Sequence, residues 1–280
     1  MLIVYLHNFF LSSFLFQTVR EMNLTYSKYL EVEALTSIQH LQSDPKEHDE
    51  MLFIIIHQTY ELWFKQILHE FEKLRKDLIN GESYHAIKTL RRILTIMKTL
   101  VSQVDILETM TPLEFNSFRS FLGQSTGFQS VQFREIEILC GLRLPLMLEA
   151  HKDDKETVEL LKSRMEERTI WESFGEYLTN KGFPVQPKRE NEIGLLYNPS
   201  AEIQEQLVLV MKTAPELALV CELLVDFDEG LQEWRYRHVK MVERTIGRKK
   251  GTGGSVGVDY LKKTTNHAIF PDLWAIRTEF

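Results

Sequence analysis

The chain is poor in the residues that interrupt regular backbone structure. Only 13 glycines and 8 prolines occur among its 280 residues, against an average usage of about 7% and about 5%. A many-turned β-sandwich, a collagen-like fibre or a disordered linker would contain more of them. Strand-like alternation is not sustained anywhere, whereas apolar residues recur every three or four positions. The sequence therefore predicts an all-α protein that is large enough for a sizeable core.

Positive charge and cysteine are also scarce. The chain has 33 basic and 40 acidic side chains, which gives a net charge of −7. This balance removes the electrostatic case for a nucleic-acid partner. Two cysteines, Cys140 and Cys221, cannot form a disulfide framework or a cysteine-rich metal site. We therefore expect a protein of the reducing cytoplasm.

The N-terminal stretch lacks charge altogether. Residues 1–19 contain no Asp, Glu, Lys or Arg, and a histidine, an asparagine and two serines interrupt their apolar run. A spanning helix needs about 20 mostly apolar residues, and a signal peptide needs a basic segment before its apolar core. The first basic residue, Arg20, comes after the run. We interpret residues 1–21 as an extension, such as a mis-chosen start would add, and residues 22–280 as one domain with no membrane association.

Capping signatures and apolar stripes predict a bundle of long antiparallel helices. Asp44, Pro45 and Glu47 match the start of a helix, and Asn80-Gly81 matches its end. Further helices are predicted over residues 82–110, 111–123, 128–139, 155–179 and 215–247. The high content of glycine and proline in residues 182–199 predicts an irregular segment without a regular helix.

Metal-binding motifs are almost absent from the sequence. It has no His-Glu-x-x-His motif, and Glu-x-x-His occurs once where a di-iron bundle needs two. The run His48-Asp49-Glu50 begins like a site of two histidines and one carboxylate for iron. Acidic residues are expected beside a helix start in any case, so this run is a weak candidate for a metal site.

A glycine-dense loop follows the last long helix. Residues 251–257 contain four glycines and follow two lysines, which at first suggests phosphate binding. The loop fails the dinucleotide fingerprint because Val256 stands where a glycine is required, and it follows a helix rather than a strand. Two interpretations stay open: a flexible surface loop, or a backbone that approaches a small ligand closely beside the Thr252 hydroxyl.

Three other side chains allow both a purely structural and a functional interpretation. His57 and His238 each lie on the apolar stripe of a long helix, where a histidine is either a satisfied core residue or a functional group. A neutral imidazole between helices, such as His238, could be the proximal ligand of haem iron. Arg119 lies at the edge of an apolar helical face. Its guanidinium either extends to water or pairs with a ligand carboxylate.

Seven segments together resemble the haem-dependent tryptophan 2,3-dioxygenase family. They are residues 24–30 (LTYSKYL), 48–59 (HDEMLFIIIHQT), 107–112 (LETMTP), 118–119 (FR), 125–130 (STGFQS), 234–238 (WRYRH) and 250–255 (KGTGGS). They occur in the order found in the family and cover the chain from about residue 22 to its end. One departure is Phe115, which stands where some bacterial members have tyrosine.

The resemblance implies a role for particular residues. His238 resembles the proximal ligand of the haem iron, and His57 resembles the distal, catalytic histidine beside the indole N–H. Arg119 would pair with the substrate carboxylate. The remaining substrate-binding residues implied by the resemblance are Phe53, Phe115, Thr126, Gly127 and Thr252, with Tyr26 and Tyr29 completing the pocket of a neighbouring subunit.

The same resemblance implies an activity and its partners. The family inserts both atoms of O₂ across the indole C2–C3 bond of L-tryptophan and forms N-formylkynurenine, in the first step of tryptophan catabolism by the kynurenine pathway. We expect one non-covalent haem b per subunit, ferrous in the active form and lying between helices, and a cytoplasmic homotetramer. Two alternatives are a related haem enzyme for another indole and a haem-binding sensor or carrier. A carboxylate-binding Arg119 beside Thr252 disfavours both.

Overall fold

The computed structural model describes residues 24–187, 199–247, 249–252, 258, 261–262, 265 and 267–280. The chain divides into two compact units, Met1–His40 and Leu41–Phe280. In the described part of the first unit lie two short helices, α1 (Tyr26–Leu30) and α2 (Val32–Leu35). The predicted boundary between residues 21 and 22 lies outside the described residues, so the extension and the single domain stay predictions.

The second unit is built from helices throughout its described residues. These helices are α3 (His48–Ile79), α4 (Ser83–Leu107), α5 (Pro112–Phe118), α6 (Val131–Leu139), α7 (Pro145–Glu149), α8 (Lys155–Glu166), α9 (Ile170–Asn180), α10 (Ala201–Thr213), α11 (Pro215–Ile246) and α12 (Pro271–Ala275). The described residues hold no strand, which confirms the all-α class. No helix among them is long and apolar enough to cross a membrane.

Helix α3 begins later than its sequence predicted. The N-cap is Glu47 rather than Asp44, so the predicted cap is wrong. The chain before the helix is instead held by the buried Glu50 carboxylate, which accepts hydrogen bonds from the Ser43 backbone N–H at 3.0 Å and from the Ser43 hydroxyl at 2.5 Å. The Ser43 oxygen in turn accepts from the Glu47 backbone N–H at 2.9 Å. Glu50 is thus engaged in fixing the helix start, not free to bind a metal.

Helix α4 contributes a long buried face to the second unit. A tight turn at Asn80-Gly81, where Gly81 has φ +74°, joins it to α3 and makes the two helices antiparallel. Both α3 and α11 pack against α4. Its apolar stripe is almost completely withdrawn from water and consists mainly of Ala86, Leu90, Ile93, Met97, Leu100 and Val104. Burying such side chains is the main favourable contribution to folding.

The predicted start of α5 is confirmed. Thr111 is the N-cap, its hydroxyl accepts from the Glu114 N–H at 3.4 Å, and the Glu114 carboxylate accepts from the Thr111 N–H at 2.7 Å. This reciprocal capping box satisfies two backbone donors at the helix start. A 3₁₀ turn, Arg119–Leu122, continues the helix as far as Gly123, which has φ +57°.

The helical structure predicted over residues 155–179 is present and consists of two helices. The chain leaves the helical conformation at residues 167–169, between α8 and α9. A second capping box causes the break: Thr169 and Glu172 satisfy each other's backbone N–H groups at 3.1 and 2.7 Å. The irregular segment predicted over residues 182–199 is described only in part. Residues 183–187 form no helix or strand, and residues 188–198 lie outside the described residues.

Helix α11 and the C-terminal segment are joined through one buried carboxylate. Asp228 Oδ2 accepts from the backbone N–H groups of Ile269 at 2.8 Å and Phe270 at 2.9 Å, and from Trp274 Nε1–H at 2.9 Å. The carboxylate is completely buried. It therefore satisfies three donors that would otherwise be buried without a partner.

Replacing Asp228 by Ala should lower the free energy of unfolding by about 3 kcal/mol, because buried donors lose their acceptor. The exposed Asp226, two residues earlier, provides the matched control, and Asp226→Ala should change stability by less than about 0.5 kcal/mol. Urea unfolding followed by circular dichroism measures both values. Equal effects of the two substitutions would contradict the anchoring role of Asp228.

Candidate active site

His57 lies on α3, close enough to His238 of α11 for the two imidazoles to interact electrostatically, and we call the space around these two side chains the recess. Its imidazole is accessible to water, yet desolvation by the surrounding protein lowers its pKa. A side chain can be both accessible and desolvated when it faces a concavity rather than convex surface. Its Nδ1 lies 2.7 Å from the Phe53 carbonyl oxygen. A carbonyl only accepts hydrogen bonds, so in the neutral ring Nδ1 carries the proton and Nε2 is left as an acceptor.

His238 lies in the same recess, on α11. Its ring stacks on Trp234 at a centroid distance of 5.4 Å and an interplanar angle of 7°. Burial, together with the nearby His57 and Arg134, lowers the pKa of His238 to about 4. The His238 imidazole is therefore neutral at pH 7. A neutral imidazole has the lone pair that metal ligation requires.

Aromatic side chains flank each histidine. Beside His238, an aromatic wall runs from Trp234 to Phe133 on α6 at 5.0 Å and then to Phe64 on α3 at 5.2 Å between ring centroids. Nearer the start of α3, the Phe53 ring lies 4.1 Å from that of His57 and 5.8 Å from that of Phe115. The predicted residues Phe53, His57 and Phe115 are thus brought together by α3 and α5.

Arg119 connects the end of α5 to the segment after α11. Its guanidinium donates a hydrogen bond to the Lys250 backbone carbonyl. Thr252, two residues further on, is half-buried. Two predicted residues that are far apart in sequence therefore belong to neighbouring segments. The rest of the glycine loop, residues 253–257, lies outside the described residues.

Thr126 and Gly127 form a short turn before α6. Thr126 is the N-cap of the 3₁₀ turn Gly127–Gln129, and its hydroxyl accepts from the Phe128 N–H at 3.4 Å. A Cβ placed on Gly127 would have no heavy atom within 4 Å, so open space lies beside this backbone. Phe128 is in turn covered by the Arg134 guanidinium, 4.7 Å from its ring centroid.

The two predicted tyrosines belong to the first unit. Tyr26 and Tyr29, both on α1, expose 76% and 71% of their surface. Their predicted contribution to a neighbouring subunit stays a prediction.

The structure also shows neighbours of the histidines that the sequence did not predict as site residues. Trp234 precedes His238 by one helical turn, and Glu61 follows His57 by one turn. The i, i+4 spacing was a signal for both, since it places side chains on one helix face. Arg134 on α6 had no such signal. Within the described residues, no group of three or more His, Cys, Asp or Glu side chains could hold a metal ion.

Comparison with known proteins identifies the family. A family model described as tryptophan 2,3-dioxygenase matches residues 16–179 and 207–280. The match begins inside the predicted extension.

Several curated proteins named tryptophan 2,3-dioxygenase are similar along almost their whole length. One from Herpetosiphon aurantiacus is 50% identical over 259 residues, which cover 91% of this chain and 98% of that protein. One from Anaeromyxobacter sp. strain K is 50% identical over 254 residues, covering 91% and 95%. One from Saccharopolyspora erythraea is 42% identical over 260 residues, covering 91% and 92%. The chain belongs to the tryptophan 2,3-dioxygenase family.

Proposed function

We propose that the recess between α3 and α11 is the place where this chain carries out the reaction of its family. The chain is an oxidoreductase that oxidises L-tryptophan with O₂ to N-formylkynurenine, the first step of the kynurenine pathway. The observation that carries the assignment of the site is the pair His57 and His238. Their helices, α3 and α11, both pack against α4, and the two imidazoles lie close enough to interact electrostatically.

The family is haem-dependent, and the residues of the recess fit a haem. His238 supplies one neutral imidazole, and the aromatic wall of Trp234, Phe133 and Phe64 offers flat apolar surface to a macrocycle. We assign His238 as the proximal ligand of one non-covalent haem b per subunit, ferrous in the active form. When bound, this group supplies the binding and activation of O₂.

His57 is assigned to the indole N–H of the substrate. Because the Phe53 carbonyl fixes the proton on Nδ1, Nε2 presents a lone pair to the recess. Desolvation keeps the ring neutral by lowering its pKa. The imidazole can therefore accept a hydrogen bond from the indole N–H and orient the ring. The adjacent Phe53 and Phe115 rings provide aromatic surface for the indole.

Arg119 and Thr252 are assigned to the amino-acid end of the substrate. Arg119 has a planar fork of donors that suits a carboxylate, and it already donates to a backbone carbonyl, that of Lys250. A carboxylate is a stronger acceptor than a neutral carbonyl. Thr252 lies two residues beyond that carbonyl, where its hydroxyl can contact the ammonium and carboxylate groups. Thr126 and Gly127 border open space, which suits close approach of substrate and O₂.

We also propose an oligomeric state and a cellular location for this chain. The exposed Tyr26 and Tyr29 suit a role in a neighbouring subunit's pocket, and we propose a homotetramer on that basis. Both cysteines are buried and free, which is compatible with a reducing cytoplasm.

The activity is tested directly with the haem-loaded protein. Reduced protein mixed with L-tryptophan and O₂ should accumulate N-formylkynurenine, followed by its absorbance and confirmed by mass spectrometry. Indole, which lacks the ammonium and carboxylate groups of tryptophan, is the control substrate. It should react far more slowly because it has no carboxylate to pair with Arg119. Turnover of indole without turnover of tryptophan would instead support an enzyme for another indole. Haem binding with no turnover of either would support a sensor or carrier.

Replacing Arg119 by Leu should lower kcat/KM for L-tryptophan about 100-fold, mostly through KM. The substrate carboxylate would be desolvated without its charged partner, a loss of about 2.7 kcal/mol. Arg91→Leu, at an exposed position on α4, removes the same charge from the surface and should leave both constants unchanged. If Arg119→Leu changed kcat/KM by less than about twofold, the carboxylate assignment would be wrong.

A further inference from the structure

Glu61 is an acidic residue held beside the distal histidine. It follows His57 by four residues on α3 and is half-buried. In a helix, side chains four residues apart share a face, and each leans back toward the turn before it. Glu61 therefore leans toward the turn that carries His57, while His57 itself leans back onto the Phe53 carbonyl.

A glutamine from another helix fixes this carboxylate. Gln132 of α6 donates from Nε2 to Glu61 Oε2 at 2.8 Å and also approaches the Glu61 backbone carbonyl at 3.0 Å. Both contacts are partly buried, so water competes less for them. Gln132 belongs to the first turn of α6, which directly follows the turn of Thr126 and Gly127. The position of the Glu61 charge is thus tied to the segment that borders the substrate space.

Another titratable group near His57 belongs to a different helix. His238 of α11 lies close enough to interact with it electrostatically. Desolvation lowers the pKa of His57, and Glu61 is the carboxylate that acts against this effect. A negative charge near an imidazole stabilises positive charge on the ring. It therefore makes the unprotonated Nε2 a better hydrogen-bond acceptor.

We propose that Glu61, held in place by Gln132, is a positioning residue that strengthens His57 Nε2 as the acceptor of the indole N–H. The inference rests on the proposed function, because it assumes that His57 meets the substrate at this atom. Its consequence is selectivity for a ring that carries an N–H. An otherwise similar ring without that donor gains nothing from the Glu61 charge.

The test compares two ligands in two variants. The ligands are L-tryptophan and the L-amino acid with a benzofuran side chain, which has a ring oxygen in place of the N–H. Glu61→Gln keeps the shape and the contact with Gln132 but removes the charge. The dissociation constant for tryptophan, measured by titration of the haem absorbance, should rise about fivefold, whereas that for the benzofuran analogue should change by less than about 1.5-fold.

Two further variants separate an electrostatic role from a structural one. Glu61→Asp restores the charge and should recover most of the affinity for tryptophan. Glu229→Gln removes an exposed charge from α11 and should alter neither ligand. Should Glu61→Gln not fold, Gln132→Leu provides the same test, because it leaves the charge in place but untethered. It should produce a smaller loss, of about twofold, that is again confined to tryptophan.

Two results would overturn the proposal. Equal weakening of both ligands by Glu61→Gln would show a structural role only, and unchanged binding of both would show no role at Nε2. Failure of the unmodified protein to bind and oxidise tryptophan is a different result, since it would overturn the proposed function itself. The two failures are therefore distinguishable from the same set of titrations.

Discussion

Both histidine-bearing helices depend on α4 for their positions. The apolar stripes of α3 and α11 pack against this one buried helix, and polar contacts fix each of them along it. On the α3 side, the Tyr60 hydroxyl donates to the Leu100 carbonyl at 2.9 Å. On the α11 side, Arg237 donates to Asp105 at 2.5 Å and to Glu108 at 3.2 Å. Packing on a common helix is what places two imidazoles from distant parts of the chain in one recess.

The same packing sets the protonation of the histidines. Burial disfavours the charged imidazolium, so the pKa values of His57 and His238 both lie below the ordinary histidine value. Neutral rings can ligate a metal or accept a hydrogen bond, and each ring has a neighbour that limits its orientation: the Phe53 carbonyl for His57 and the Trp234 ring for His238. The chemistry of the recess thus follows from how deeply the bundle buries it rather than from a cluster of ionised groups.

Local sequence signals predicted a helix correctly where no other contact competed with them. The apolar stripe of α11 and the capping box at Thr111 each predicted a helix that the structure contains, because such signals depend on residues that are close together in the chain. The prediction of Asp44 as the N-cap of α3 is wrong because a different contact fixes the start of this helix. The Glu50 carboxylate accepts a hydrogen bond from the backbone N–H of Ser43, seven residues earlier. The prediction over residues 155–179 gave helical structure without placing the break at Thr169, where the capping box with Glu172 starts a new helix. Contacts such as that of Arg119 with Lys250, 131 residues apart, depend on the tertiary fold and had no local signal at all.

We propose different roles for the two imidazoles of one recess, His238 as the iron ligand and His57 as a hydrogen-bond acceptor. These roles are tested by the absorption spectrum of ferrous haem in His238→Ala and in His57→Ala, compared with the unmodified protein. We expect His238→Ala to lose the Soret band of histidine-ligated haem, and His57→Ala to retain both that band and its haem content. Loss of the band in His57→Ala with its retention in His238→Ala would show that the two roles are wrongly assigned.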